Sequence, residues 1–175
     1  MTQTITLAGG CFWCIEAVYQ RIQGVERAVS GYMGGHRAHP SYEQVCTGVS
    51  GHAEVVRIDY DPQQISLSEL LDVFFTIHDP TTLNRQGNDV GSQYRSGIYW
   101  HSPEQEADVR AALARWQAHF ARPIVTELLP ASTFWPAETG HQDYFNQHPA
   151  QPYCVAIIAP KLRKLYEHFP EQARI

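Results

Sequence analysis

The amino-acid sequence predicts an α+β protein, a two-layer sandwich in which helices cover one face of a mainly antiparallel sheet, with a ferredoxin-like core and extended loops. Segments with strand and helix patterns follow one another in the order βα-ββα-βα-β. The length of 175 residues is near the usual size of one domain, and neither an internal repeat nor a linker interrupts the chain. We therefore predict a single domain over residues 1–175.

Glycines mark the elements of the first part of the chain. The alternating residues 5–8 end at Gly9-Gly10, and the segment that follows has helical composition without glycine or proline, so Cys11 falls at a helix N-terminus. Five of the twelve glycines lie in residues 31–51, which we predict to be a loop. The predicted elements here are, in order, a strand at 5–8, a helix at 12–21 and strands at 25–30 and 53–60.

Capping signals mark the elements of the second part. Ser66 and Glu69 form a capping box that begins a helix, and Pro80 ends it. Ser102 is the N-cap of a long helix with Pro103 in its first turn. The predicted elements here are, in order, the helix at 66–79, a polar loop at 81–96, a strand at 97–100, a helix at 103–121, a strand at 124–129, an irregular segment at 130–160 with a short helix near 141–147, and a helix at 161–169.

Composition and charge exclude several classes of function. Apolar residues make up 43% and charged residues 18% of the chain, as in globular proteins, and the net charge is -5. The one basic cluster, Lys161 to Lys164, is interpreted as a solvated helix face, so we predict binding neither to nucleic acid nor to a membrane. No charged leader and no long apolar run is present, and we expect a cytoplasmic protein whose four cysteines are reduced thiols.

The segment Gly10-Cys11-Phe12-Trp13-Cys14 carries the strongest chemical signal. Backbone N–H groups and the positive end of the helix dipole stabilise a thiolate at a helix N-terminus, so Cys11 is predicted to be a nucleophile with a lowered pKa. Cys14 lies one turn later on the same face, where a disulfide with Cys11 is geometrically possible. A zinc site is not predicted, because the other two cysteines have no neighbouring ligand pair.

Glu54 is the second chemical signal. The period of two in the strand at 53–60 places Glu54 on the same face as Val56, Ile58 and Tyr60. A carboxyl group in apolar surroundings resists ionisation and can serve as a general acid near neutral pH, whereas a position at the strand edge would simply expose it to water. The sequence leaves these two interpretations open.

Several motifs together make the chain resemble the A-type peptide-methionine sulfoxide reductases, which act on the S epimer at sulfur. The matching runs are Gly10-Cys11-Phe12-Trp13, Gly51-His52-Ala53-Glu54-Val55-Val56, the stretch from Asp79 to Ser96 with its Gly87-Asn88-Asp89-Val90-Gly91 turn, and His141-Gln142-Asp143-Tyr144. They occur in order from residue 10 to residue 144 and so cover most of the chain. The resemblance implies the ferredoxin-like fold, an oxidoreductase of protein repair under oxidative stress, and substrates that are oxidised proteins or free methionine sulfoxide.

The resemblance also implies roles for individual residues. They are Cys11 as the nucleophile, Glu54 as the proton donor, Tyr42 and Tyr94 as donors to the sulfoxide oxygen, Phe12 and Trp13 as the pocket for the substrate methyl group, and Asp89 as a further substrate-binding residue. Attack by the nucleophile would release methionine and leave a sulfenic acid, which a second thiol converts to a disulfide. No metal and no bound cofactor is implied, since thioredoxin would act as an external reductant.

The resolving cysteine remains open between Cys14 and Cys154. Members of this family often use a C-terminal cysteine, and Cys154 lies in the segment predicted to be irregular, where it could swing over the site, which favours it slightly. Cys14 needs less loop closure. Cys46 is predicted to be a spectator.

Two other functions stay open from the residues alone. A thiol-disulfide oxidoreductase would use Cys11 and Cys14 directly and would need neither Glu54 nor the tyrosines. A non-catalytic binding module would hold its cysteines as unreactive, buried thiols.

Overall fold

The computed structural model describes residues 1–174 of the chain. The strands are, in chain order, β1 (Gln3–Ala8), β2 (Val25–Met33), β3 (Ala53–Tyr60), β4 (Arg85–Gln86), β5 (Asp89–Val90), β6 (Gly97–Trp100), β7 (Glu127–Pro130) and β8 (Trp135–Pro136). The α-helices are α1 (Phe12–Tyr19), α2 (Tyr42–Cys46), α3 (Leu67–Ile77), α4 (Pro103–Gln117), α5 (Tyr144–Gln147) and α6 (Ala159–His168). A π-helical segment, Cys154–Ile158, leads directly into α6.

Six strands form one mixed sheet in the order β7-β6-β1-β3-β2-β8. All neighbouring pairs are antiparallel except β6 and β7, which are parallel, and β4 and β5 form a separate hairpin. The predicted α+β class and the mainly antiparallel sheet are therefore confirmed. The ferredoxin-like description is not confirmed, because the sheet contains a parallel pair and carries an additional strand at each edge.

The helices pack on one face of this sheet. Ile5 and Leu7 point from β1 into the main apolar core, which they share with Val18 of α1, Phe74 of α3 and Val109 of α4. Burying each such side chain contributes roughly 1.5–3 kcal/mol. A smaller cluster on the opposite face is covered by partly buried loop side chains; its buried members are Ala8, Met33, Ala53, Val55 and Tyr99.

The predicted loop at 31–51 is wrong at its start and in its middle. Strand β2 continues to Met33, because Gly31 leaves room for the ring of Phe134, 2.5 Å from where a Cβ would lie. Helix α2 begins with a capping box in which Ser41 accepts from the backbone N–H of Gln44. That box is visible in the sequence as Ser41-x-x-Gln44.

The structure also corrects the predicted elements beyond residue 80. The polar loop at 81–96 contains the β4–β5 hairpin, α4 ends at Gln117, and β7 starts at Glu127 rather than at 124. The predicted irregular segment is wrong around Cys154, which begins the π-helical segment and is fully buried. π-helical segments are rare and often lie at functional sites, so this part of the chain is part of the site described next.

Candidate active site

A glycine turn carries the chain from β1 into α1 and places Cys11 at the N-terminus of the helix. Gly10 has φ +92°, and a Cβ there would lie 2.8 Å from the side chain of Gln86, so both the conformation and the space require glycine. Cys11 is the N-cap residue of α1 and is only 8% exposed. The predicted position of this thiol is confirmed.

Glu54 lies directly beside this turn. Leu7 pairs with Val56, so continuing the antiparallel register places Glu54 opposite Gly9, where β1 has ended. Its Oε1 accepts a hydrogen bond of 3.1 Å from the backbone N–H of Phe12 in the first turn of α1. Its Oε2 is buried without a hydrogen-bond partner among the described residues, and the side chain as a whole is almost fully buried. The alternative of a carboxylate reaching water at the strand edge is therefore wrong.

Burial determines the protonation of this carboxyl group. It raises the pKa of Glu54 from an ordinary value near 4.5 to about 8, although the hydrogen bond from Phe12 lowers it in part. Glu54 is therefore protonated near neutral pH. It can donate this proton to a ligand atom that binds next to Oε2.

The lowered pKa predicted for Cys11 is wrong. Burial raises the pKa of the Cys11 thiol well above its ordinary value, and Cys14 and Glu54 add to the effect, so the helix N-terminus does not leave Cys11 anionic before substrate binds. The neighbouring Cys11 thiol lowers the pKa of Cys14 by hydrogen bonding, against the effect of burial. Cys14 is therefore the thiol of the pair that ionises more readily.

An aromatic cluster surrounds the first turn of α1. The ring centroid of Phe12 lies 6.3 Å from that of Tyr42, and His141 lies 4.2 Å from Tyr42 in a stacked arrangement. Trp13 stacks on Tyr144 at 3.7 Å, and its Nε1–H donates to Nδ1 of His141 at 3.3 Å. These rings form an apolar wall next to Cys11, and the two residues predicted for a substrate methyl group, Phe12 and Trp13, both belong to it.

Two further predicted residues face the buried carboxyl group from other elements. Burial and the charge of Glu54 raise the pKa of Tyr94, with contributions from Asp89 and Cys11, and burial and Glu54 likewise raise that of Tyr42. Both phenols therefore remain protonated and lie close to Glu54. The structure thus brings Cys11, Glu54, Tyr42 and Tyr94 together.

The C-terminal segment packs onto this group. The hydroxyl of Tyr153 donates to Oδ2 of Asp89 at 2.6 Å and lies 3.8 Å from Sγ of Cys14. Its ring packs edge-on against Trp13 at 6.0 Å. Tyr153 thus contacts three residues predicted for the site, and it was missed because only its position next to Cys154 distinguishes it among nine tyrosines.

The remaining two cysteines differ in position. Cys154 is fully buried in the same apolar cluster as Cys14, and burial together with the charge of Cys14 raises its pKa. Cys46 is exposed and lies next to the Tyr42 hydroxyl. All four cysteines are free thiols.

Sequence reasoning also missed a charged residue. The sequence predicts a solvated face for Lys161, but its Nζ donates to the carbonyl of Ile77 at 2.6 Å, and its partly buried side chain lines the same cavity as Cys11 and Cys14. The lysine spacing of α6 gave no sign of this, because the contact joins residues that are far apart in the chain.

Among residues 1–174 the structure shows no group of three metal-binding side chains. In the same part of the chain no helix combines the length and the apolar character needed to cross a membrane.

Comparisons with known proteins agree on one family. A family model described as "Peptide methionine sulfoxide reductase" matches residues 3–173. The "Peptide methionine sulfoxide reductase MsrA" of Polynucleobacter asymbioticus is 56% identical over 166 residues, which are 94% of this chain and 87% of that protein. Among solved structures, Mxr1 from Saccharomyces cerevisiae in reduced form has a TM-score of 0.81 at 38% identity, covering 87% of this chain and 89% of Mxr1. Mxr1 in complex with Trx2 has a TM-score of 0.57 at 30% identity, covering 82% and 84%.

Proposed function

Because this chain belongs to the peptide methionine sulfoxide reductase family, we propose that it reduces the S epimer of methionine sulfoxide, in proteins and as the free amino acid, at a site built around Cys11 and Glu54. The family resemblance inferred from the sequence motifs is confirmed by the full-length matches. The roles of individual residues are our proposal.

The observation that carries the proposal is the unpartnered Oε2 of Glu54. A buried polar atom without a partner costs free energy, so it persists where a ligand completes its hydrogen bonds. The sulfoxide oxygen is a strong acceptor, and the carboxyl group is protonated below about pH 8. A protonated carboxyl group facing a sulfoxide beside a thiol provides the acid that this reaction requires.

The proposed chemistry transfers oxygen from substrate sulfur to Cys11. The sulfoxide oxygen enters between Glu54, Tyr42 and Tyr94, whose protons offset the negative charge that develops on it. Sγ of Cys11 attacks the substrate sulfur, and the S–O bond of the substrate breaks as the protonated oxygen leaves as water. That water then adds to Sγ while the new S–S bond breaks, which releases the thioether and returns one proton to the site. In the net reaction a thiol and a sulfoxide become a sulfenic acid on Cys11 and a thioether, so no other reactant is consumed. Because burial keeps Cys11 protonated in the free enzyme, the thiol loses its proton as the oxygen is protonated.

The aromatic wall selects the orientation of the substrate. Phe12 and Trp13 offer an apolar surface for the S-methyl group, and Trp13 is itself fixed by its stacking on Tyr144. With the methyl group on this wall and the oxygen on Glu54, only one epimer presents its sulfur to Cys11. We propose that Asp89, released from Tyr153, binds the polar backbone of the substrate.

We propose that both candidate thiols take part in resolution, Cys14 first. Cys14 lies one turn along α1 from Cys11, to whose carbonyl its backbone N–H donates at 3.0 Å, and it is the more easily ionised thiol of the two, whereas Cys154 shares the apolar cluster of Cys14. Condensation of the sulfenic acid with Cys14 gives a disulfide and water, and exchange with Cys154 moves the disulfide to the C-terminal segment. This order revises the slight preference for Cys154 as the first resolving thiol.

The reductant is proposed to be thioredoxin, without a bound cofactor. Mxr1 has been solved in complex with Trx2, which supports a dithiol protein as the partner of this chain. Thiol exchange would return the final disulfide to two thiols.

The proposal is tested by turnover on the separated R and S epimers of a methionine sulfoxide peptide, with thioredoxin, its reductase and NADPH. We expect methionine from the S epimer only, and none from that epimer with Cys11→Ser. Equal turnover of both epimers, or turnover by Cys11→Ser, would refute it.

The order of resolution is tested by peptide mapping after one equivalent of substrate. We expect a Cys11–Cys14 disulfide in Cys154→Ser and, in the unmodified chain, accumulation of Cys14–Cys154. A persistent sulfenic acid in Cys14→Ser supports this order, while rapid formation of Cys11–Cys154 in that variant contradicts it.

A further inference from the structure

A cavity of about 320 Å³ lies between α1, the β4–β5 hairpin and the C-terminal segment. Its lining includes Cys11, Cys14, Asp89, Tyr153, Ile157 and Lys161. Lys161 is the only basic side chain among the described residues that line it. The cavity thus places one ammonium group in the same enclosure as the two thiols of the Cys-x-x-Cys segment.

The surroundings of Lys161 are unusual for a lysine. Its Nζ donates to the carbonyl of Ile77, at the C-terminal end of α3, over 2.6 Å. It takes part in none of the four ion pairs found among residues 1–174. Because removing an ammonium group from water is costly unless an anion or several acceptors compensate it, a partly buried lysine held by one carbonyl indicates a negative charge that appears nearby during function.

Two groups in the cavity can carry that charge. Asp89 already accepts the hydroxyl hydrogen of Tyr153 at 2.6 Å. Cys14 has no such close partner, since the polar groups that its thiol can hydrogen-bond are the same hydroxyl, at 3.8 Å, and the neighbouring Cys11 thiol. Cys14 must ionise to react, so its thiolate is the anion in the cavity that the ammonium group of Lys161 stabilises most.

We propose that Lys161 is a positioning residue that holds Cys14 as the thiolate which attacks the Cys11 sulfenic acid. This inference rests on the function proposed above, in which that sulfenic acid forms. The Cys14 sulfur bonds to the Cys11 sulfur, the S–O bond of the sulfenic acid breaks, and the departing hydroxide takes up the proton that Cys14 has lost, giving water. The sulfenic sulfur is reduced and Cys14 is oxidised, so the step needs no further reactant.

The surrounding charges agree with this role. Lys161 lowers the pKa of Cys14, and Cys14 in turn raises that of Lys161, against the opposing effect of burial on the lysine. The titratable groups that face the two residues are Cys11, Glu54, His78, Asp89, Tyr153, Cys154 and Lys164. Lys164, one turn further along α6, is exposed and does not line the cavity.

The test separates the first chemical step from the second. Lys161→Met removes the charge and keeps the length of the stem, Lys161→Arg keeps the charge, and Lys164→Met removes a charge from the same helix outside the cavity. Each protein is mixed with one equivalent of the S epimer, quenched at intervals, and analysed for free methionine product and for the sum of the Cys11–Cys14 disulfide and the Cys14–Cys154 disulfide that forms from it.

For Lys161→Met we expect methionine release to stay within about twofold of the unmodified chain, and disulfide formation at neutral pH to slow about tenfold, as for a thiol pKa raised by one unit. The slow step should recover at higher pH, where Cys14 ionises unaided. Lys161→Arg should restore most of the rate, and Lys164→Met should resemble the unmodified chain.

Unchanged disulfide formation in Lys161→Met at every pH would overturn the proposal. So would an equal loss of both steps, which would indicate that Lys161 only supports the fold. If Lys161→Met does not fold, Lys161→Gln, which retains a donor for the Ile77 carbonyl but no charge, replaces it with the same expected result.

A second measurement is independent of sulfoxide chemistry. The rate of alkylation of Cys14 by iodoacetamide against pH, in a Cys11→Ser background with and without Lys161→Met, reports ionisation of Cys14 directly. We expect the midpoint to rise by about one unit when the ammonium is removed. An unmoved midpoint rejects the role of Lys161 even if the proposed reductase activity is confirmed. A moved midpoint without any methionine formation supports the effect of Lys161 on Cys14 ionisation and rejects the proposed function instead.

Discussion

Two glutamates are similarly buried, one within α1 and one on strand β3 beside the start of α1, and they differ in what faces their oxygens. Glu54 and Glu16 are 1% and 2% exposed, and burial raises the pKa of Glu54 to about 8 and that of Glu16 to about 7. Glu16 faces the backbone N–H groups of Asp143 and Tyr144, which lower its pKa in part. Glu54 has one such donor, and its Oε2 has no partner.

This difference separates a structural acid from a candidate catalytic acid. Among residues 1–174 the buried side-chain oxygens or nitrogens without a partner are Oγ of Ser30 and Oε2 of Glu54. A raised pKa alone therefore does not identify the proton donor, since Glu16 has one as well. The unmet hydrogen bond next to a thiol does, because it shows where a ligand atom fits.

The largest expected effect comes from replacing each of the two glutamates in turn and comparing the losses of activity. Glu54→Gln should lower the single-turnover rate of methionine formation about 10²- to 10⁴-fold, the usual range for loss of a general acid. Glu16→Gln, which also removes an ionisable group from α1, should stay within a few-fold. Quenched-flow measurement of methionine on both variants tests this, and equal losses would show that the unpartnered oxygen has no special role.

A smaller effect is expected for the phenols that share the site with Glu54. Tyr42→Phe and Tyr94→Phe should each lower the same rate about 10- to 100-fold, less than Glu54→Gln, because the remaining donors still face the oxygen. Tyr19→Phe is the matched control, since its buried hydroxyl donates to the carbonyl of Leu70 at 2.7 Å away from the site. A control loss as large as that of Tyr94→Phe would indicate a general effect of removing buried hydroxyls.

The pH dependence sharpens the comparison further. Glu54 loses its proton as the pH rises through about 8, so the rate of methionine formation should fall about tenfold per unit above that value. Ionisation of Cys11 would act in the opposite direction, because a thiolate is the better nucleophile. The falling limb should persist in Glu16→Gln and disappear in Glu54→Gln, and a rate that only rises with pH would exclude Glu54 as the acid.

For one of these two glutamates the sequence indicated an apolar face but left its burial open. The period of two in β3 placed Glu54 on an apolar face, and the structure shows it buried there. Glu16 was not noticed, because its burial depends on a contact with Asp143 and Tyr144, more than a hundred residues further along the chain. Local periodicity cannot report such a contact.

The same distinction, between local signals and contacts of distant residues, explains which elements of the fold the sequence predicts. Strands and helices with local signals were predicted well, including β3 and the capped α3. Strand β2 was extended by pairing with β8, and the position of Tyr153 over Asp89 depends on how the C-terminal segment packs. The lowered pKa predicted for Cys11 is wrong for a related reason, since the effect of burial outweighs that of the helix N-terminus and only the packed structure reveals burial.

The smallest expected effect concerns stability, and it distinguishes the two acids without any substrate. Both have folded-state pKa values above the ordinary value near 4.5, so the native chain binds more protons than the unfolded chain between that value and about 7 for Glu16, or about 8 for Glu54. Their contribution to stability is therefore present at low pH and is lost as the pH rises, by at most about 1.4 kcal/mol per unit for each group. Of these two glutamates, only Glu54 still contributes to the decline of stability between about pH 7 and 8. Urea unfolding should accordingly show that Glu16→Gln flattens the decline below about pH 7, whereas Glu54→Gln flattens it up to about pH 8. If Glu54→Gln left the decline between those two values unchanged, Glu54 would already be ionised there and could not be the proton donor.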